Sequence, residues 1–310
     1  GGDATDPLEK AGLASMAASL ADNGTPSRSA QAIAAKLESL GARIGITSGK
    51  DGVYASVTAP LANLDAAGEV LVDIVQNADY PAEEVERERK RTLEGFSATM
   101  NNPGALAALV ATRVLYGDAP YGRVGNMTSM AAITREDLLD HRQTWWTPAR
   151  AKLVISGGIG SDEAARLGES LFGDWTSKAR APDLTDAPAG KPLNARTVVI
   201  DMPNAGQAAL VAGVRAIARR DEDFYPLWLV NTVLGSGSNG RLFEEIRTKR
   251  GLAYGAYSSL GQSLDAALLT ARAQTKNETA DEVAAVFFEQ FAKLQQSPLD
   301  DETLAKRRLY

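Results

Sequence analysis

The order in which helix and strand signals recur constrains the fold of this 310-residue chain more than any other feature. In each half a helical stretch ends in Leu-Gly or Arg-Gly, two short runs of strand-forming residues follow, and then come a long helix, a proline and a charged helix. Gly41 corresponds to Gly251 and Pro81 to Pro298. "SLGARIGITSGKDGVYASVTAP" then aligns with "KRGLAYGAYSSLGQSLDAALLTA", and "YPAEEVERERKRTL" with "SPLDDETLAKRRL". This pattern predicts an α+β fold of two duplicated units, each an antiparallel or mixed sheet packed against helices.

Finer signals fill in the units. Leu13, Met16, Ala17 and Leu20 recur at the spacing of one buried face, predicting a helix within 8–21. Thr25 and Pro26 predict the N-cap and first residue of a second helix that ends at Leu40 before Gly41. A hairpin is expected over 42–59 across "KDG", helices over 61–77, 82–100, 103–116 and 134–146, a strand at 151–156 and a helix capped by Ser161. Between Lys178 and Ala195 three prolines and almost no large apolar residue mark a linker. The expected division is 1–177, the linker 178–195, and a C-terminal unit 196–310. That last unit should hold strands at 196–201, 207–214, 252–260 and 266–274 and helices at 222–234, 240–250, 279–295 and 300–310.

Composition removes several function classes. Thirty-three basic residues against thirty-nine acidic ones give a net charge of -6, which leaves no domain-wide basic field for nucleic acid. No apolar run reaches the length of a membrane span. Without cysteine there is no disulfide, thiolate nucleophile or Cys-ligated metal, and both cytoplasm and periplasm stay open as compartments. One histidine, His141, rules out any metal site or triad that needs two imidazoles from one chain; it reads as a surface or packing residue. "GSGSNGRL" has the glycines of a phosphate loop, but Arg241 and Leu242 stand where lysine and a hydroxyl residue are needed. "ISGGIGSDEA" lacks the third glycine of a dinucleotide loop and reads as a strand-to-helix turn. The acidic pairs Glu83–Glu84, Glu244–Glu245 and Asp300–Asp301 read as charged helical turns.

Against this background, "GLASMAASLADNGT" resembles the "GLAHxxEHxxxxGT" helix of the pitrilysin or insulinase metallopeptidases, whose H-x-x-E-H holds Zn²⁺. In the register set by Gly12, Leu13, Ala14, Gly24 and Thr25, the two zinc histidines fall on Ser15 and Ser19 and the catalytic glutamate on Ala18. The family's third ligand falls on Gly95, with Glu94 beside it. Hydroxyls and a methyl cannot replace imidazole and carboxylate on zinc. "LGSGSNGRLFEEIRTKRGLAYGAYSS" is similar to the family's C-terminal "SRLFxxIRxxxGLAYxxxS", in which Arg and Tyr seven apart bind the substrate peptide. They fall on Arg247 and Tyr254. As residues alone they would make an ion pair and an edge aromatic, yet both can donate hydrogen bonds to a peptide carbonyl.

The resemblance extends through "YGDAPYGR", "ITREDLLDHRQTWWTPARAKLVISGGI" and "LFGDW", and implies further family elements before Gly2 and after Tyr310. It implies a zinc-less subunit, like the Arg/Tyr-bearing subunits of bacterial two-subunit peptidases and mitochondrial processing peptidase. Such a chain binds no cofactor itself; its expected partners are an extended peptide and a zinc-bearing homologous peptidase subunit, with a homodimer as an alternative state of the isolated chain. The other reading is an assembly scaffold with the same fold and no part in peptide processing. A self-sufficient hydrolase finds no nucleophile and base to carry it.

Overall fold

The computed structural model describes residues 1–177, 197–296 and 299–308. In chain order its main elements are α1 (Leu13–Ser19), β1 (Gly24–Thr25), β2 (Arg28–Ser29), α2 (Ala30–Ser39), β3 (Arg43–Ser48), β4 (Val53–Thr58), α3 (Leu64–Asn77), α4 (Ala82–Met100), α5 (Pro103–Tyr116), α6 (Met127–Ala132), α7 (Arg135–Trp145) and α8 (Ser161–Phe172). There follow β5 (Ala208–Ala216), α9 (Phe224–Leu234), α10 (Arg241–Phe243) running into a π-helical stretch (Glu244–Lys249), β6 (Ala253–Leu260), β7 (Ala267–Thr275), α11 (Ala280–Gln296) and α12 (Asp301–Arg308). The linker expected at 178–195, and Pro298 of the repeat, lie outside the described residues.

Two compact units form. The first contains Gly1–Phe96 and the described residues from Arg123 to Ser177, and the second Ser97–Gly122 with the described residues from Thr197 onward. In the first unit the buried stripe of α1 meets Ile33 and Leu37 of α2, Val70 and Ile74 of α3, and Leu138 of α7. The short α1 is held at its start by the buried Asp6, whose carboxylate accepts from the amides of Gly12 (2.8 Å) and Ala14 (3.0 Å). Burial pushes that carboxyl up to about 7 against the pull of the two amide bonds. Strands β3 and β4 pair from Arg43↔Thr58 to Ser48↔Val53 as a regular hairpin.

Three local expectations are corrected. Thr25 does not cap a helix: its hydroxyl donates to Asp73 at 2.8 Å within a tight β1–β2 hairpin, and Ser29 caps α2 by accepting from the Ala32 amide. Ser161 is the first residue of α8 rather than its cap, since Gly160 takes that position without a side-chain bond. Residues 151–156 and 197–201 form no ladder, and Val154 and Val199 are largely exposed. Strand propensity becomes a strand only where a neighbouring edge accepts its hydrogen bonds.

In the second unit the sheet order is β5-β7-β6, antiparallel throughout. One sheet face buries Ala256, Leu260, Leu269, Ala271 and Ala273 against Leu242, Ile246, Phe224 and Phe287. On the opposite face α5 crosses β5. A Cβ on Gly213 would stand 2.8 Å from the Leu115 side chain, and Arg215 donates to the carbonyls of Leu115 (2.6 Å) and Tyr116 (2.8 Å). The Tyr116 hydroxyl donates to Ala266 at 3.0 Å. Residues 97–122, placed in the first unit by the sequence-based division, thus pack with the second.

The duplication is visible in backbone geometry. Gly41 (φ 61°) and Gly251 (φ 64°) each end a helix in the left-handed region and lead into an antiparallel strand pair. An added Cβ would meet only ordinary contact at Gly41 and open space at Gly251, so the cost of a side chain there is conformational. Gly41→Ala and Gly251→Ala should each destabilise the protein by about 1–2 kcal/mol in urea unfolding. A negligible effect at either position would mean that its left-handed turn is not required.

His141 is 4% exposed, beside the Trp145 ring, and burial pushes its imidazole down to about 4. A folded-state value below the unfolded one gives stability that is complete above about 6.5 and lost as pH falls through about 4. Because the chain has one histidine, its Hε1 resonance can be followed without assignment. The titration midpoint should lie near 4, and a midpoint near 6.5 would place the ring in solvent.

Candidate functional site

The degenerate zinc positions lie on α1 and α4 of the first unit. Ser15 and Ser19, four apart, share a side of α1 as metal-binding residues of that motif would. Ser15 donates to Asp3 at 2.9 Å; Ser19 donates to Glu88 at 3.1 Å and accepts from Arg91 at 3.2 Å, while Arg91 and Glu88 form an ion pair at 2.6 Å. Ala18 is 2% exposed and contributes only a packed methyl, and Gly95 has open space where a side chain would stand. Zinc does not fit this donor set: two hydroxyls engaged with carboxylates, a methyl and a bare backbone offer no imidazole and no metal-facing base. Among the described residues no group of three or more His, Asp or Glu side chains could hold a metal ion.

Arg247 and Tyr254 do come together. Arg247 lies in the π-helical stretch Glu244–Lys249, and its Nη1 donates to the Tyr254 carbonyl at 2.5 Å. Its guanidinium carbon stands 4.2 Å from the centroid of the Tyr254 ring and 5.6 Å from that of Phe243, so the cation sits against two aromatic rings. The Tyr254 ring is 86% exposed. Between the two residues the chain turns at Gly251, where the Gly251 amide donates to Arg247 and the Leu252 amide to Ile246.

A bulge aims the tyrosine. Ala253 pairs with Thr275 and Ala256 with Ala273, so Tyr254 and Gly255 together oppose Gln274. Counting back from buried Ala256 by strict alternation would send Tyr254 toward the core; the extra residue returns it to the outer side. Tyr257 lies on that side as well, its ring 5.9 Å from Phe243 and so close over Gly255 that a Cβ there would sit 2.7 Å from it. Tyr257 was not singled out from the sequence; Tyr254 and Tyr257, both aromatic and three apart in a strand, signal a break in alternation.

The remaining motifs resolve as structure. In "GSGSNGRL" a Cβ on Gly240 would lie 2.5 Å from the Gly235 Cα, and the Ser258 amide donates to Gly235, so the loop is closed upon itself and on β6. The acidic residues Glu84, Glu86 and Glu245 are engaged in ion pairs with neighbouring arginines and lysine.

An α+β fold of two units, each a small sheet packed with helices, is the fold of pitrilysin-type peptidases. The peptidase M16 inactive domain matches residues 132–309, and the insulinase domain of peptidase family M16 matches residues 1–123. The chain belongs to peptidase family M16. It is 30% identical over 264 residues to an uncharacterized zinc protease of Mycobacterium leprae, covering 84% of this chain and 59% of that protein. It is 25% identical over 285 residues to the uncharacterized zinc protease YmxG of Bacillus subtilis, covering 91% and 68%. The chain therefore spans about 59% of the length of the mycobacterial relative. The crystal structure of a peptidase M16 inactive domain from Pseudomonas fluorescens superposes with a TM-score of 0.90 at 25% identity, over 99% of this chain and 75% of that one. A protease from Helicobacter pylori shares the fold, with a TM-score of 0.88 at 20% identity over 100% and 76%. Among the described residues no helix is long and apolar enough to cross a membrane.

Restoring the motif tests the zinc assignment. Protein purified without chelator should hold no stoichiometric zinc after dialysis. The Ser15→His, Ala18→Glu, Ser19→His triple variant should gain affinity, and adding Gly95→Glu should raise it further by supplying a third ligand. Equal affinities by calorimetry would mean that Glu88, already beside Ser19, or Glu94 acts as that ligand and that Gly95 is the wrong position.

Proposed function

We propose that this chain is a zinc-less peptidase-family subunit that binds extended peptide through Arg247 and Tyr254 and completes the active chamber of a zinc-bearing H-x-x-E-H partner. The observation that carries this reading is a contrast within one chain. The positions that would hold the metal are filled by Ser15, Ala18, Ser19 and Gly95, while Arg247 and Tyr254 are brought together at a bulge with the phenol exposed. Its family match to the inactive domain supports a non-catalytic role.

The chemistry asked of the pair is modest. Arg247 has donors left beyond the one given to the Tyr254 carbonyl, and the Tyr254 hydroxyl lies on an exposed ring; both can donate to carbonyls of an extended peptide. In a transition state such donors would stabilise charge developing on a carbonyl oxygen more than they stabilise the ground state. Water activation and bond cleavage would belong to the partner's zinc site.

Co-purification with the product of a neighbouring gene should yield the partner, and the reconstituted pair should hydrolyse peptide where this chain alone does not. Tyr254→Phe keeps the exposed ring and removes one donor, so the melting temperature should hold while substrate interaction weakens by about 1 kcal/mol. Arg247→Lys loses the planar fork and should cost more. Unchanged hydrolysis beside a lowered melting temperature would make both residues structural and favour the scaffold reading.

A further inference from the structure

The outer face of the second unit's sheet extends the peptide site toward a positive charge that nothing so far has used. Tyr257 is the direct cross-strand partner of Arg272, and Ser259 is that of Thr270, with their hydroxyls 3.0 Å apart. Directly opposed residues on one sheet face have Cβ atoms about 5 Å apart, within reach of any side chain laid across them. The bulge at Tyr254–Gly255 brings Tyr254 to the same side, opposite exposed Gln274. The surface thus runs from Tyr254 through Tyr257 to Arg272 within a single unit.

Arg272 is exposed, and among the described residues no carboxylate pairs with it and no hydrogen bond occupies its guanidinium. Its direct cross-strand neighbours are the Tyr257 ring on β6 and Val211 on β5, with Thr270 and Gln274 flanking it on its own strand. Other cations of the unit are already engaged: Arg215 donates to the carbonyls of Leu115 and Tyr116, Arg247 is engaged with Tyr254, and Lys249 and Arg250 are paired with Glu245. An arginine fork on a rigid central strand suits a carboxylate, which it can grip with two parallel bonds.

We propose that Arg272 reads an acidic side chain, aspartate or glutamate, of the peptide whose backbone is held at Arg247 and Tyr254; this rests on the peptide-binding reading above and adds a side-chain preference to it. Tyr257 and Tyr254 form the aromatic floor between the backbone-binding and charge-reading positions. The preference is a specificity element and takes no part in bond cleavage.

The test uses the full chain and fluorescein-labelled Ser/Ala nonapeptides that carry one glutamate, glutamine or lysine at each position in turn, with binding read by anisotropy. At one position glutamate should bind about two- to fivefold more tightly than glutamine, the range of an exposed ion pair, and the advantage should shrink in high salt. Arg272→Gln should abolish that difference while leaving the glutamine peptide unaffected, and Arg272→Glu should turn the preference toward lysine. Tyr254→Phe should weaken all peptides alike. Thermal melts of the Arg272 variants should match the parent, since the side chain is exposed.

Equal binding of glutamate and glutamine peptides at every position would overturn the proposal and leave the Arg247/Tyr254 reading intact. So would an Arg272→Gln effect that is the same for both peptides. Failure of every peptide to bind would overturn the backbone-binding reading and this inference with it.

Discussion

A helix that must stop and turn at once into an antiparallel strand pair has few ways to do so, and both units use the same one. A residue in the left-handed region reverses the chain while its neighbours' amides satisfy the last helical carbonyls. With Gly41 and Gly251 in that conformation, the helix end and the first strand are fixed against each other within a few residues. The buried strand faces then follow, because period-two alternation starts from a defined point. In the second unit this turn is also what sets Arg247 beside Tyr254. The two residues are seven apart in sequence and in contact through a carbonyl and a ring.

In the first unit the helix at the positions of the zinc motif is held by other contacts. It is fastened by Ser15 to Asp3, by Ser19 to Glu88 and Arg91, and by the Asp6 carboxyl at its start. These are modest interactions, and the larger share of stability comes from the apolar stripe that α1 buries. Burial favours the neutral form of both His141, pushed down to about 4, and Asp6, pushed up to about 7, so between those values neither side chain brings a charge into this unit.

Elements defined by long periodic patterns were legible in the sequence: α3, α4, α5, α7, α9, α11 and the β3–β4 and β6–β7 pairs fall close to where the patterns put them. What was not legible depends on partners distant in sequence. Thr25 looks like a cap until Asp73 claims its hydroxyl, and 151–156 looks like a strand until an edge is sought for it. The packing of α5 on β5 has no local signature, since an amphipathic helix does not name the sheet it will cover. For the candidate site, spacing and family likeness marked Arg247 and Tyr254. The bulge that aims the tyrosine, and the cross-strand placement of Arg272, exist only once β6 and β7 are in register.

Comparison of the two glycine turns carries one more consequence. At Gly41 the glycine amide donates to Glu38 and the next amide to Leu37, three and five residues back; at Gly251 the same two amides reach Arg247 and Ile246, four and six residues back. The second copy has one more residue in the last turn of its helix, and its first strand has one more residue than its partner at Tyr254–Gly255. A single extra residue between pinned ends leaves the core at both sides undisturbed and re-aims only what lies between. At such a place the length of the chain, and not the identity of one residue, decides which way a side chain faces.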